Sequence, residues 1–302
     1  MNWMKRGYAF VLLTALVSGF SIFINKFGVK GIDPHIFTFS KNVLVVLLLM
    51  SLIFLFKEFK TFKTLTKNQW LKLGAIGLFG GSVPFLLFFK GLAMSPSTTS
   101  ALLHKSMFIF VTILAVYFLK EKLSKGFIIG ALLLFGGNFL LLKITSFSFG
   151  IAEVLILCAV LLWAVETTIS KHALKELPSK IVAFGRMFFG IVFIFIFLAA
   201  TGNASNIALL SVKQLSWVLL TAVFLLLYVT TWYAGLKRVQ ASSAACILVL
   251  GSAITTTLSF IYSSSYSFVD IVGIIFILGG IVSVMGYSYL ASKIKIILPH
   301  KN

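Results

Sequence analysis

At 302 residues, 60% apolar and only 11% charged, the chain has too little polar surface to coat a water-soluble globule, which usually carries about 45–50% apolar and about 25% charged residues. The formal net charge of +19 would suit a nucleic-acid binder. However, the Lys and Arg sit in short clusters between apolar runs, and no basic, aromatic-studded face stands on a polar domain, so nucleic acid is excluded as a partner.

A bilayer core about 30 Å thick needs about 20 apolar residues per helix. The chain meets that requirement ten times, at 7–27, 35–56, 71–93, 98–119, 125–143, 148–171, 179–200, 214–235, 241–262 and 268–290. The first run follows Lys5 and Arg6 as a signal peptide would. It has the length of a full span and no small-residue cleavage pattern after it, so it reads as a retained helix. The longest polar connection is Lys57 to Lys67, and no connection is long enough for a soluble domain. Cys158 and Cys246 lie inside separate spans, which argues against a disulfide framework or a Cys-based metal site. No metal and no cofactor is expected.

The connections alternate in charge. One side holds Lys5 and Arg6, then Lys57, Lys60, Lys63 and Lys67, and then Lys120, Lys122 and Lys125. It continues with Lys171, Lys175 and Lys180, then Lys237 and Arg238, and finally Lys293, Lys295 and Lys301. The other side holds only Lys26, Lys30, Lys143 and Lys213. By the positive-inside rule the basic side and both termini are expected in the cytoplasm, with the chain spanning the cytoplasmic membrane.

The second half repeats the first at an offset of about 144–145. Phe39-Ser40-Lys41 meets Phe184-Gly185-Arg186, Ser21 meets Glu166, and Phe89-Lys90-Gly91-Leu92 meets Tyr233-Ala234-Gly235-Leu236. Five spans per half, an odd number, invert the second half in the membrane. The expected organisation is therefore residues 1–146 and 147–292 as two inverted repeats, with 293–302 as a basic tail. Such repeats are a recurrent transporter design with the substrate near the midplane. The Gly136-Gly137 and Gly279-Gly280 pairs read as close-packing sites between helices.

Ionisable groups inside spans cost at least about 2.5–3.5 kcal/mol on insertion scales and so face a bundle interior or a wet cavity. Lys41, Lys90, His104 and Lys105 fall in the outer half of the bilayer, and Glu166 and Arg186 share one depth in the inner half. Lys90, close to a helix end, is expected to snorkel to the interface. Glu166 and Arg186 form either a static brace or a working pair in which Glu166 titrates and couples transport to protons. Helical spacing adds a polar face on the first helix (Thr14, Ser18, Ser21, Asn25) and one on the sixth (Trp163, Glu166, Thr167, Ser170). The eighth contributes Tyr228 and Trp232, and the ninth contributes Ser252, Thr255 and Ser259.

The segment Phe88-Phe89-Lys90-Gly91-Leu92-Ala93, the fourth-helix ending Tyr117-Phe118-Leu119-Lys120-Glu121-Lys122-Leu123, the glycines of helix five, and Trp163 and Lys171 together resemble the EamA-type group of the drug/metabolite transporter superfamily. The resemblance runs over nearly the whole chain. It implies a secondary carrier working by alternating access, with a cavity lined by helices one to four and six to nine. The family's substrates range over amino acids, other metabolites, nucleotide sugars and drugs. The chain departs from the family pattern in having no Pro near Met107, no acidic residue at Ser263-Ser264-Ser265, and Lys41 where Arg is commoner.

There is no phosphate-binding Gly-rich loop with Lys-Ser/Thr, no His-Glu-x-x-His and no Gly-x-Ser-x-Gly, so enzyme chemistry is not expected. The excess of intramembrane cations favours a substrate carrying a carboxylate or phosphate, with an amino acid or related metabolite the first expectation. Lys41 and Arg186 would hold its anionic group, and Trp163 and Trp232 would pack its apolar part. The alternatives are an exporter of lipophilic cations or drugs and, further off, a membrane-embedded enzyme or scaffold.

Overall fold

The computed structural model of the chain describes residues 3–28, 32–94, 97–142, 149–263 and 267–297. The side chains of Lys26, Lys293 and Lys295, together with Lys30, Lys143, Ser264, Ser265, Tyr266 and Lys301 entirely, lie outside the described part. Among the described residues, ten helical stretches are long and apolar enough to cross a membrane. In a medium without water every backbone N–H and C=O must be satisfied within the segment, which is why these apolar runs become helices.

The first half contains α1 (Trp3–Gly28), α2 (Pro34–Leu55), the short α3 (Lys60–Thr64), α4 (Lys67–Ile76), a π turn (Gly77–Ser82) and α5 (Val83–Met94). It continues with α6 (Ser97–Lys105), α7 (Met107–Leu119) and α8 (Lys125–Leu142). The second half contains α9 (Ile151–Ala173), α10 (Ser179–Ala200), α11 (Val212–Leu236), α12 (Ala241–Leu248), α13 (Leu250–Ser263) and α14 (Phe268–Ile297). Spans three, four and nine are thus composite. Span three is α4, the π turn and α5; span four is α6 and α7; span nine is α12 and α13.

Several features depart from the sequence reading, among them α1, which starts at Trp3 rather than 7, and α14, which runs to Ile297 rather than 290. The third span starts at Lys67 rather than 71, because Thr66 and Gln69 form a capping box. Gln69 N donates to Thr66 Oγ1 at 3.3 Å and Thr66 N donates to Gln69 Oε1 at 3.0 Å, which carries the helix into the polar connection. That connection is itself partly helical. It is held down where the Phe62 ring meets Trp70 at 6.2 Å and Phe184 at 5.2 Å.

The eighth and last helices, α8 and α14, pack tightly on each other. A Cβ on Gly130 would lie 2.7 Å from the carbonyl oxygen of Gly280, and one on Gly137 would lie 2.7 Å from that of Gly273. Small residues here let the backbones approach, which drives helix association in lipid. The paired glycines of the sequence reading divide: Gly136 and Gly279 meet only side chains, at 3.7 Å and 3.9 Å, because each points off the contact stripe. With spans five and ten paired, the other eight surround the interior.

Spans four and nine break at matching positions, Ser106 and Val249, 143 residues apart. At the first break Ile109 N donates to Ser106 O at 2.9 Å. At the second, Val249 N donates to Cys246 O at 3.1 Å and Ser252 N to Val249 O at 2.9 Å. Three-residue steps replace the regular four-residue ladder, the kind of backbone adjustment a membrane tolerates where it lines protein or a cavity.

Alternate connections between the described spans share one face, and the Lys-rich ones lie there. There the two halves are tied by charge. Lys180 Nζ lies 2.7 Å from Glu58 Oε1 and Lys72 Nζ lies 2.8 Å from Glu176 Oε1. Glu121 of the first half accepts from Ala241 N at 2.6 Å, Ser242 N at 3.1 Å and Ser242 Oγ at 2.5 Å. That places a carboxylate on the N-terminus of α12, where the helix dipole favours it. Hydrogen bonds from Lys72 and Gln69 hold the Glu176 carboxyl below its usual range. The stability this tie supplies is present at neutral pH and is lost as pH falls through that lowered value.

Gly137→Val is expected to force α8 and α14 apart and to lower the thermal midpoint in detergent, a cost of about 1–3 kcal/mol for overpacking. Gly136→Val is expected to melt near the wild type, and equal loss in both variants would contradict the assigned stripe.

Candidate functional site

A cavity of about 240 Å³ lies between the halves. Its walls come from spans one to four and six to eight. A second cavity of about 80 Å³ adjoins it and adds span nine.

The floor of the larger cavity is a buried charged knot. Glu166 is 2% exposed and Arg186 8%. Buried charges persist only when paired and hydrogen-bonded, and here each is. Glu166 Oε2 lies 3.8 Å from Arg186 Nη1. Glu166 Oε1 accepts from Tyr233 Oη at 2.7 Å and from Ser170 Oγ at 2.5 Å. Arg186 Nη1 donates to Tyr233 Oη at 3.4 Å, and Nη2 donates to the carbonyl of Gly80 at 3.1 Å. The same carbonyl accepts from Trp163 Nε1 at 3.2 Å.

That carbonyl belongs to the π turn of span three, a wide turn often found at functional sites. Ser82 Oγ closes it by donating to the carbonyls of Gly77 and Leu78, both at 3.1 Å. The glycines are needed for room. A Cβ on Gly80 would lie 2.9 Å from Glu166 Cδ and 3.3 Å from Arg186 Nε, and one on Gly81 would lie 2.9 Å from Gly190 Cα. Arg186 Nε is buried and has no hydrogen-bond partner among the described residues.

Lys41 lines the same cavity from span two. Its Nζ stands 5.0 Å from the Phe37 ring centroid, a cation–π approach. Among the described residues it has no ion pair. The wall opposite is aromatic: Trp163 meets Phe85 at 5.2 Å, Phe88 at 5.6 Å and His104 at 5.2 Å. Tyr228 stacks on Trp232 at 6.4 Å. Taken together the cavity carries Lys41, Arg186 and Glu166, a surplus of one positive charge.

Of the residues singled out in the sequence, Lys41, His104, Trp163, Glu166, Arg186, Tyr228 and Trp232 share this one cavity. Lys105 lines the adjoining one, with His104 and Tyr228 common to both. Asn25 and Ser252 are among those that reach neither wall. Asn25 turns back on its own helix, its Nδ2 donating to Ser21 O at 2.7 Å and Ser21 Oγ at 3.0 Å. Ser252 sits just past the break of span nine with its Oγ buried. Lys90 is exposed. Sequence reasoning missed the Phe85–Phe88–Phe89 wall, because Phe in an apolar run carries no mark of which side it faces. It also missed Gly80 and Tyr233. The Gly80-Gly81-Ser82 triplet within a span was the available signal for the former. Among the described residues no group of three His, Cys, Asp or Glu could hold a metal ion.

Known proteins agree with this architecture. The model of the EamA-like transporter family matches twice, over residues 5–143 and 150–286. An uncharacterized transporter of Clostridium kluyveri is 26% identical, with 94% of each chain covered. One of Archaeoglobus fulgidus is 21% identical over 96% of this chain and 98% of its own length. The uncharacterized transporter YetK of Bacillus subtilis is 25% identical over 92% of this chain and 86% of its own length. A solved crystal structure covers 94% of this chain and 99% of its own, with a TM-score of 0.76 at 15% identity, a likeness of fold alone. The chain is a multi-pass membrane protein and belongs to the EamA-like transporter family, within the drug/metabolite transporter superfamily.

Gly80→Ala is expected to displace the Glu166–Arg186 pair, abolishing solute uptake in proteoliposomes and lowering the melting midpoint. Trp163→Phe removes one hydrogen bond and is expected to cost only about 0.5–1.5 kcal/mol. A Gly80→Ala protein that transports normally would show that the knot does not govern the site.

Proposed function

We propose that the protein is a secondary active transporter, working by alternating access, of a small organic metabolite with a carboxylate, an amino acid or a related solute. The observation that carries this reading is Lys41, a cation inside a membrane span with no counter-charge among the described residues, facing a cavity with a surplus positive charge. An ionised side chain in such a place is costly unless function retains it. A solute carboxylate beside Lys41, in the cavity that Arg186 also lines, offsets that charge, while Trp163, Trp232 and the phenylalanine wall pack the apolar remainder. The cavity volume of about 240 Å³ falls below the roughly 300–1,000 Å³ typical of drug-sized sites, which favours a metabolite over a bulky drug.

In this reading the basic face is cytoplasmic and the protein sits in the cytoplasmic membrane. Glu166, wedged between Arg186, Tyr233 and Ser170, is the group through which a proton couples to transport. The aromatic wall also suits an exporter of lipophilic cations, and that reading gains if such compounds alone bind.

The test is a melting-temperature screen of the purified protein against amino acids, nucleotides, sugar phosphates and lipophilic cations, since a ligand that binds only the folded state raises the midpoint. A carboxylate-bearing class is expected to shift it. Lys41→Met is expected to weaken that ligand by about 2 kcal/mol or more, roughly 30-fold. An unchanged affinity in folded Lys41→Met and Arg186→Ala proteins would end the anion-site reading. Glu166→Gln is expected to transport without responding to a pH gradient, and a full response would exclude coupling through Glu166.

A further inference from the structure

The adjoining cavity of about 80 Å³ has its own chemistry. It lies where the two broken spans cross. One side is His104, Lys105, Met107 and Phe108 around the break at Ser106, and the other is Ala245, Leu248 and Val249 around the break at Val249. It is not a separate compartment. Ser18, Ile22, His104, Met107 and Tyr228 line both cavities, so the two are lobes of one groove divided by the His104 ring. That ring meets Phe88 and Trp163, each at 5.2 Å, and those two meet each other at 5.6 Å.

Among the described residues, Lys105 is the smaller lobe's only ionisable wall residue besides His104 and Tyr228. No carboxylate among the described residues pairs with it, and it has no hydrogen-bond partner among them. The groove therefore has a cation without counter-charge in each lobe, Lys41 in one and Lys105 in the other, with aromatic rings between. The Glu166 carboxylate is committed to Arg186, Tyr233 and Ser170 in the larger lobe. A helix interrupted at membrane depth is a common place for transported groups to bind, and both interruptions flank this lobe.

We infer that the smaller lobe, built by Lys105 and His104 at the crossing of the two broken helices, is a second anion subsite, and that the substrate is an elongated organic dianion with an anionic group at each end. This rests on the reading of Lys41 as the first anion site. One end lies at Lys41, in the lobe that Arg186 also lines. The connecting carbon chain passes the His104–Trp163–Phe88 rings, and the second anionic group reaches Lys105. A monoanion of the same length leaves Lys105 without a counter-charge.

The experiment compares binding of straight-chain α,ω-dicarboxylates with monocarboxylates of matching length to the purified full-length protein, read by quenching of its tryptophan fluorescence, since Trp163 and Trp232 line the groove. The wild type is expected to prefer the dicarboxylate of optimal length by at least about tenfold. Lys105→Met is expected to lose that preference, and Lys105→Arg, which keeps the charge and controls for folding, to retain it. Lys41→Met is expected to weaken both ligand classes. If wild type and Lys105→Met bind the two classes alike while Lys41→Met still weakens them, the second subsite is wrong and the first stands. If neither class binds and lipophilic cations do, both readings fall together.

Discussion

The hydrocarbon interior offers no water to an unpaired polar group, and each departure from a plain ten-helix bundle answers that constraint. The π turn at Gly77–Ser82 sets the carbonyl of Gly80 where two side chains of the second half donate to it. The carbonyl in turn helps hold Arg186 at a depth where an isolated guanidinium would be expelled. Glu166 is tolerable for the same reason, with one oxygen taken by Tyr233 and Ser170 and the other facing Arg186. The knot joins spans three, six, seven and eight, so it binds the halves together within the bundle. At the basic end the same task falls to Glu58–Lys180, Lys72–Glu176 and the Glu121 cap on α12.

The spans were legible because hydropathy acts residue by residue over long windows, and their ends agree with the observed helices to within about four positions except at the last, where α14 continues past 290 to Ile297. The third span starts four residues early because a capping box, Thr66 with Gln69, is a local signal that a hydropathy window averages away. The breaks at Ser106 and Val249 were not legible. Neither carries Pro or Gly, and the interruption depends on which helix crosses which. The site was legible where a charge betrays itself: Lys41, Glu166 and Arg186 are conspicuous against an apolar background. Helical periodicity assigned Asn25 and Ser252 to polar faces, but a face is not a neighbour. Asn25 spends its amide on its own helix, and Ser252 lies beyond the wall. The phenylalanines behaved in the opposite way, since one residue type serves lipid, packing and cavity equally well.

The glycines show the difference between composition and position. Gly130, Gly137, Gly273 and Gly280 bring two backbones together, whereas Gly136 and Gly279, one residue from two of them, do not. Gly80 and Gly81 act differently again. They clear space for charged side chains and for the backbone of α10 rather than for a lipid-facing partner helix.

The duplicated halves are unequal at one revealing pair of positions. Lys41 and Arg186 are repeat mates, both cationic, and Ser21 and Glu166 are repeat mates of which only one carries a carboxylate. The second half is therefore electrically complete at its cation, and the first is not. If a solute carboxylate settles beside Lys41, it takes the part that Glu166 plays for Arg186, and the cargo restores a pseudo-twofold charge pattern that the chain leaves unfinished. Loading would then make the two halves alike at their shared axis, so the bound protein would be closer to symmetric than the free one.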